Sequence, residues 1–208
     1  MDTIFDIVSC IIQLIVLGVL VVWLVRQTKE PWLFQILVGA FGCYFLGTLF
    51  WTLHFFIKSD WPREFSVADL SYIGFYCFFL TAAMKLKTLW SSEERSRAKQ
   101  GRFIALAAPI TVIAFHVVYT LLAGGIVNNI LYCVPLSFLL YQSLLCFFAG
   151  GAYRRYHAVV LIIFTLELLI FLVSSFGLDA LYYLFTYTQM VVWFFIIPAA
   201  IPSEEENA

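Results

Sequence analysis

Charge is scarce in this chain. Of its 208 residues, 12% are Asp, Glu, Lys or Arg, against about 25% in an ordinary soluble domain. So little charge excludes a water-soluble globular domain, and it excludes disorder, which needs charge and few apolar residues. Eleven glycines and six prolines are too few for a fibrous repeat. The formal net charge of -1 carries no sign of a nucleic-acid partner. Five cysteines are present, Cys10, Cys43, Cys77, Cys133 and Cys146, each inside an apolar run and none in a CxxC pair. They read as unpaired thiols that pack as small hydrophobes.

Chemical motifs are missing too. There is no HExxH, HxxxH, GxSxG or P-loop, and no cofactor fingerprint. Neither an enzyme activity nor a cofactor is expected, and a zinc site built on His54 and His116 lacks a clear third ligand. A retinal protein needs a lysine within a span, whereas all five lysines fall at helix ends or in loops. The N-terminus carries Asp2 and Asp6 and no basic segment, so the first apolar run reads as a retained helix rather than a signal peptide.

What is abundant is apolar sequence, at 63% of the chain. A bilayer core about 30 Å thick is crossed by about 20 apolar residues in a helix. Seven such runs are separable, at about 4–25, 32–57, 67–84, 103–120, 126–148, 158–175 and 179–200. They predict an all-α membrane protein, a seven-transmembrane-helix bundle in one domain over residues 1–203 with an acidic tail at 204–208. Pro31 falls at the first turn of run two, where a missing N–H costs little. Pro109 and Pro135 lie within runs four and five and predict kinks. Gly39, Gly42 and Gly47 allow close helix contact in run two.

The cations are distributed unevenly. Arg26, Lys29, Lys85, Lys87, Arg95, Arg97, Lys99, Arg102, Arg154 and Arg155 fall in alternate loops, and only Lys58 and Arg63 fall in the others. By the positive-inside rule this places the N-terminus outside and the C-terminus in the cytoplasm. The longest loop, 85–102, is then cytoplasmic and basic. Its segment Ser91–Gly101 pairs opposite charges at about one-turn spacing and predicts a short surface helix. That loop either only sets topology, or binds anionic lipid or a cytoplasmic protein partner.

Polar residues inside spans are costly and tend to face a protein interior. Asp6, Ser9, Cys10 and Gln13 recur at i, i+3, i+4 and i+7 in run one, and Asp179, Tyr182, Tyr183, Thr186 and Gln189 form a similar stripe in run seven. Asp69, Tyr72 and Tyr76 share a face in run three; Gly47, Trp51 and His54 share one in run two. His116 and Tyr119 lie near the outer end of run four, and Asn128 and Asn129 open run five. All these stripes concentrate in the outer half and predict a cavity open to the outside and closed toward the cytoplasm. Aromatic residues such as Trp51, Trp61 and Tyr119 serve equally as interfacial anchors. Ser66-x-x-Asp69 also reads as a capping box. Glu167 falls about ten residues past His157, hence about 15 Å deep. An ionised carboxylate there is costly, so Glu167 is expected to be protonated or hydrogen-bonded. It serves either a proton-coupled or ligand-contacting role, or an interhelical hydrogen bond.

The stretch Tyr44–Met84 contains Trp51, Pro62, Ser66, Ala68, Asp69, Tyr72, Phe75 and Tyr76 in order. It resembles the second and third helices of the seven-helix membrane sensor region found N-terminal to many bacterial diguanylate cyclases, with Cys77 where that family often has proline. The resemblance implies a sensory module of a bacterial cytoplasmic membrane that signals to a cytoplasmic enzyme. About eight residues follow run seven, so no output domain is expected in this chain and cyclase activity is not carried over. The expectation is a receptor or sensor-like protein that takes a small-molecule ligand from outside and signals through the 85–102 loop or a partner. The alternative is a small-molecule or proton-coupled transporter that uses Glu167.

Overall fold

A hydrocarbon solvent offers backbone N–H and C=O groups no partner, so each apolar run closes its hydrogen bonds within itself as a helix. A computed structural model of the chain describes residues 2–26, 31–58 and 65–202. Among the described residues there are eight α-helices and no strands: α1 (Asp2–Arg26), α2 (Pro31–Lys58), α3 (Val67–Thr88), α4 (Ser92–Ala105), α5 (Ala107–Ala123), α6 (Ile126–Ala149), α7 (Arg154–Ser175) and α8 (Asp179–Ala199). With α4 and α5 taken together, these make seven helical segments long and apolar enough to cross a membrane. The protein is therefore a multi-pass helical membrane protein. Lys29, Trp61, Pro62, Arg63 and the acidic tail Glu204–Glu206 lie outside the described residues.

The helices match the apolar runs closely, with one informative difference. Run four does not start at a loop. Helix α4 precedes it and joins it through Leu106, whose N–H donates to Arg102 O (3.2 Å) and whose carbonyl accepts from Ile110 N (3.3 Å). The expected surface helix is thus an extension of a span. The helix assignment is interrupted at Leu106, next to the carbonyl of Ala105, against which the Pro109 ring clashes and for which Pro109 has no N–H. Pro135, by contrast, lies inside an uninterrupted α6.

The chain divides into two compact units, residues 1–79 and 80–208. In the first, α1 and α2 pack along their lengths, with Trp23 stacked on Phe34 at 6.3 Å between ring centroids. Helix α2 meets the first half of α3 at small residues. A Cβ on Gly39 would lie 2.8 Å from the Phe78 ring, and one on Gly47 would lie 3.1 Å from the Tyr72 ring. A Cβ on Gly42 would meet nothing within 4 Å. Between these glycines Phe41, Tyr44, Phe75 and Phe79 form an aromatic cluster, with Tyr44 and Phe75 centroids 4.8 Å apart.

In the second unit α6 is the central element, flanked by α4, α5 and α7, and α8 packs on α7. Buried Ala98, Gly101 and Ala105 put a small-residue face of α4 against α6. A Cβ on Gly101 would lie 2.8 Å from Phe148. Ser91 and Glu94 form a reciprocal capping box that starts α4. Arg97 Nε donates to Ala149 O at 2.8 Å, satisfying a carbonyl at the end of α6 that has no intrahelical partner. The turn that follows takes positive φ at Gly150 and Gly151, and at Gly151 a Cβ would collide with Glu94 Oε1. Only glycine fits there.

Candidate functional site

Most of the intraspan hydroxyls are satisfied by their own helix. Thr52 donates to Thr48 O (2.9 Å), Thr120 to His116 O (2.7 Å), Thr186 to Tyr182 O (2.8 Å) and Thr188 to Leu184 O (2.7 Å). This back-bonding to the i−4 carbonyl makes a hydroxyl tolerable in hydrocarbon without any partner helix. Thr186, buried on the α8 stripe, is one of these.

The first unit holds Asp6, Gln13, Trp51, His54, Asp69, Tyr72 and Tyr76. Gln13 is buried, and its amide donates to Ser9 Oγ at 3.0 Å. One turn away, Cys10 Sγ lies 3.5 Å from Thr52 Oγ1 of α2. Gln13 Oε1 is buried and makes no hydrogen bond among the described residues. Asp69 receives Ser66 N–H (2.6 Å) and Ser66 Oγ–H (2.9 Å), the reciprocal bond of a helix N-terminus, so its carboxylate caps α3. Tyr72 Oη is 3.3 Å from Thr48 Oγ1, and its ring contacts Tyr44 at 5.2 Å. Tyr76 is 1% exposed beside Phe75. Asp6, Trp51 and His54 are half-buried, with His54 near the Phe50 ring.

The second unit holds His116, Asn129, Glu167, Asp179, Tyr182, Tyr183, Thr186 and Gln189. His116 is buried, with Nδ1 2.9 Å from Val112 O. Asn129 Nδ2 donates to Gly124 O at 2.8 Å and ties down the α5–α6 turn. Asp179 is exposed in the first turn of α8, where a negative charge suits the helix dipole. Tyr182 and Tyr183 are half-buried, their rings 5.5 Å apart.

Glu167 and Gln189 meet. Gln189 is fully buried, and its Nε2 donates both to Glu167 Oε2 and to Ile163 O (3.2 Å). Ile163 and Glu167 are one turn apart on α7, so one amide of α8 bridges two acceptors on the facing helix. Gln189 Oε1 is buried and makes no hydrogen bond among the described residues. Glu167 is buried, with 7% of its surface exposed.

Two features escaped the sequence reading. Tyr156 and His157 are both buried, and their rings touch at 5.1 Å. His157 is thus packed inside the protein in the first turn of α7. The other feature is a groove between the end of α3, α4 and α6, lined by Lys87, Arg95, Lys99 and Arg102. Its signal in the sequence is the spacing of 95, 99 and 102, which puts three cations of the 85–102 loop on one helical face. Among the described residues no group of three or more His, Cys, Asp or Glu side chains could hold a metal ion. No protein-family model, curated protein or solved structure matches this chain.

Proposed function

We propose that the chain is a multi-pass membrane sensor-like protein of a bacterial cytoplasmic membrane, with its N-terminus outside. In this reading α7 and α8 form the responsive element. A small molecule arriving from outside contacts Tyr182 and Tyr183 on the outer part of α8. The contact then bears on the Glu167–Gln189 link deeper on the same stripe. The observation that carries the reading is this link itself. A fully buried Gln189 uses its Nε2 on α7 while its Oε1 makes no hydrogen bond among the described residues, an arrangement with a second hydrogen-bonding state available to it. A buried acceptor without a donor costs about 1–3 kcal/mol, enough for a modest ligand contact to shift the balance of two helix arrangements. The 10:2 division of cations between alternate loops supports the orientation.

The test is thermal-shift screening of the detergent-purified full chain against a small-molecule library, followed by Tyr182→Ala. A stabilising compound whose shift disappears in Tyr182→Ala but persists in Val118→Ala, an exposed site on α5, supports the reading. Equal shifts in both variants refute it. A proton-coupled carrier is the second reading, favoured by the enclosed carboxyl of Glu167. It requires pH-dependent uptake into liposomes that Glu167→Gln abolishes.

A further inference from the structure

We propose that the groove formed by the end of α3, α4 and α6 binds the phosphate headgroup of an anionic phospholipid, with Lys87, Arg95, Lys99 and Arg102 as its cations. All of these elements belong to the second unit, and the groove has a volume of about 630 Å³, the size of an ordinary small-molecule site.

The charge arrangement is one-sided. Arg95, Lys99 and Arg102 recur at i, i+4 and i+7, so they share one face of α4, and all three are exposed. The two acids of α4 are engaged elsewhere. Glu93 Oε1 accepts from Arg97 Nη1 at 3.1 Å, and Glu94 closes the capping box by accepting from Ser91 N–H at 2.6 Å. No carboxylate is among the described residues that line the groove. Lys87 enters from α3. Its Nζ donates to Gln142 Oε1 at 3.3 Å and stands 5.8 Å from the Trp90 ring centroid, which holds the ammonium in place while leaving it further N–H donors. Clustered guanidinium and ammonium groups on one face match the oxygens of a phosphate.

The apolar part of the groove selects a lipid over a soluble anion. Met84, Ala98 and Leu145 supply apolar surface beside the cations. Immediately after Arg102, α4 turns apolar: Phe103 is 82% exposed and Ile104 is 61% exposed, positions that need hydrocarbon rather than water around them. Arg102 thus marks the boundary level, and Trp90 and Tyr141 at the groove are the residue types that favour it. A free phosphate meets only the cations. A phospholipid meets the cations with its headgroup and the apolar wall with the start of its acyl chains.

Native mass spectrometry of the full chain, titrated with dioleoylphosphatidylglycerol, dioleoylphosphatidylcholine or inorganic phosphate, tests this. The wild type should retain phosphatidylglycerol over phosphatidylcholine. The R95Q/K99Q/R102Q variant should lose about a hundredfold in affinity for phosphatidylglycerol, whereas K85Q/R154Q/R155Q, with the same change in charge outside the groove, should stay within about threefold. Thr88→Trp, which fills the groove at an exposed position without altering charge, should weaken binding at least about tenfold. The proposal is overturned by equal retention of the two lipids, by equal loss in the two triple variants, by unchanged binding in Thr88→Trp, or by inorganic phosphate that binds as tightly as the lipid.

Discussion

Gln189 of α8 donates from one amide nitrogen to both the Glu167 carboxyl and the Ile163 carbonyl of α7. The pair is a cross-helix bond between two buried polar side chains in a protein whose solvent is largely lipid. Such a bond does two things. It fixes which faces of α7 and α8 meet, and it makes each partner costly to remove alone.

That cost is measurable. Gln189→Leu leaves the buried carboxyl without this donor and should destabilise the protein by about 1–3 kcal/mol. The double variant Glu167→Leu/Gln189→Leu should cost less than the sum of the two single changes, because neither leaves a polar group stranded. Unfolding of the purified protein in mixed micelles with rising SDS gives the numbers. Strict additivity would mean that the two side chains do not interact.

Two glycines should respond in opposite directions to the same substitution. Gly101→Ala places a methyl 2.8 Å from Phe148 and should destabilise by about 1–3 kcal/mol through overpacking of α4 on α6. Gly42→Ala meets nothing within 4 Å and should be neutral, or stabilising by up to about 1 kcal/mol through helix propensity. Thermal unfolding in detergent separates them.

The capping box of α4 offers a local test. Ser91→Ala removes the acceptor of the Glu94 N–H bond (3.2 Å) and should cost about 1 kcal/mol. Its effect should concentrate in the first turn of α4. Hydrogen exchange there should quicken while α6 and α7 stay protected, and a uniform rise across all helices would contradict the assignment.

Orientation is open to direct chemistry. Ser96 is exposed on α4, so Ser96→Cys should react with a membrane-impermeant maleimide in inverted vesicles and not in intact cells, over the background of the native cysteines. Labelling in intact cells would reverse the proposed topology.

Much of the fold was legible beforehand. Six of the seven apolar runs match the helical segments within a few residues because a span must be apolar throughout and must close its own hydrogen bonds, and run four differs because the polar helix α4 extends it back to Ser92. The capping role of Asp69 was readable because a cap is local, set by residues three apart, and the Ser91–Glu94 box seen in the structure is of the same local kind. The back-bonding of Thr186 and Thr120 belongs to the same class. Less legible was the use of each stripe. The α1 stripe reads as a ligand face from its period, and only the structure adds that Gln13 donates to Ser9 and that Cys10 meets Thr52 of α2. Period alone identifies a polar face and leaves its partner undetermined.

The sequence by itself determined a multi-pass helical membrane protein, the approximate extent of most of its spans and the cap at Asp69. These follow from hydropathy and hydrogen bonding along a single stretch of chain. Only the tertiary structure decided that Gln189 reaches Glu167, that a Cβ would meet Phe148 at Gly101 and open space at Gly42, and that four cations border an apolar groove. Those pairings depend on which side chains interlock between helices. Helical period sets the face a residue occupies, while packing sets the neighbour that face will meet.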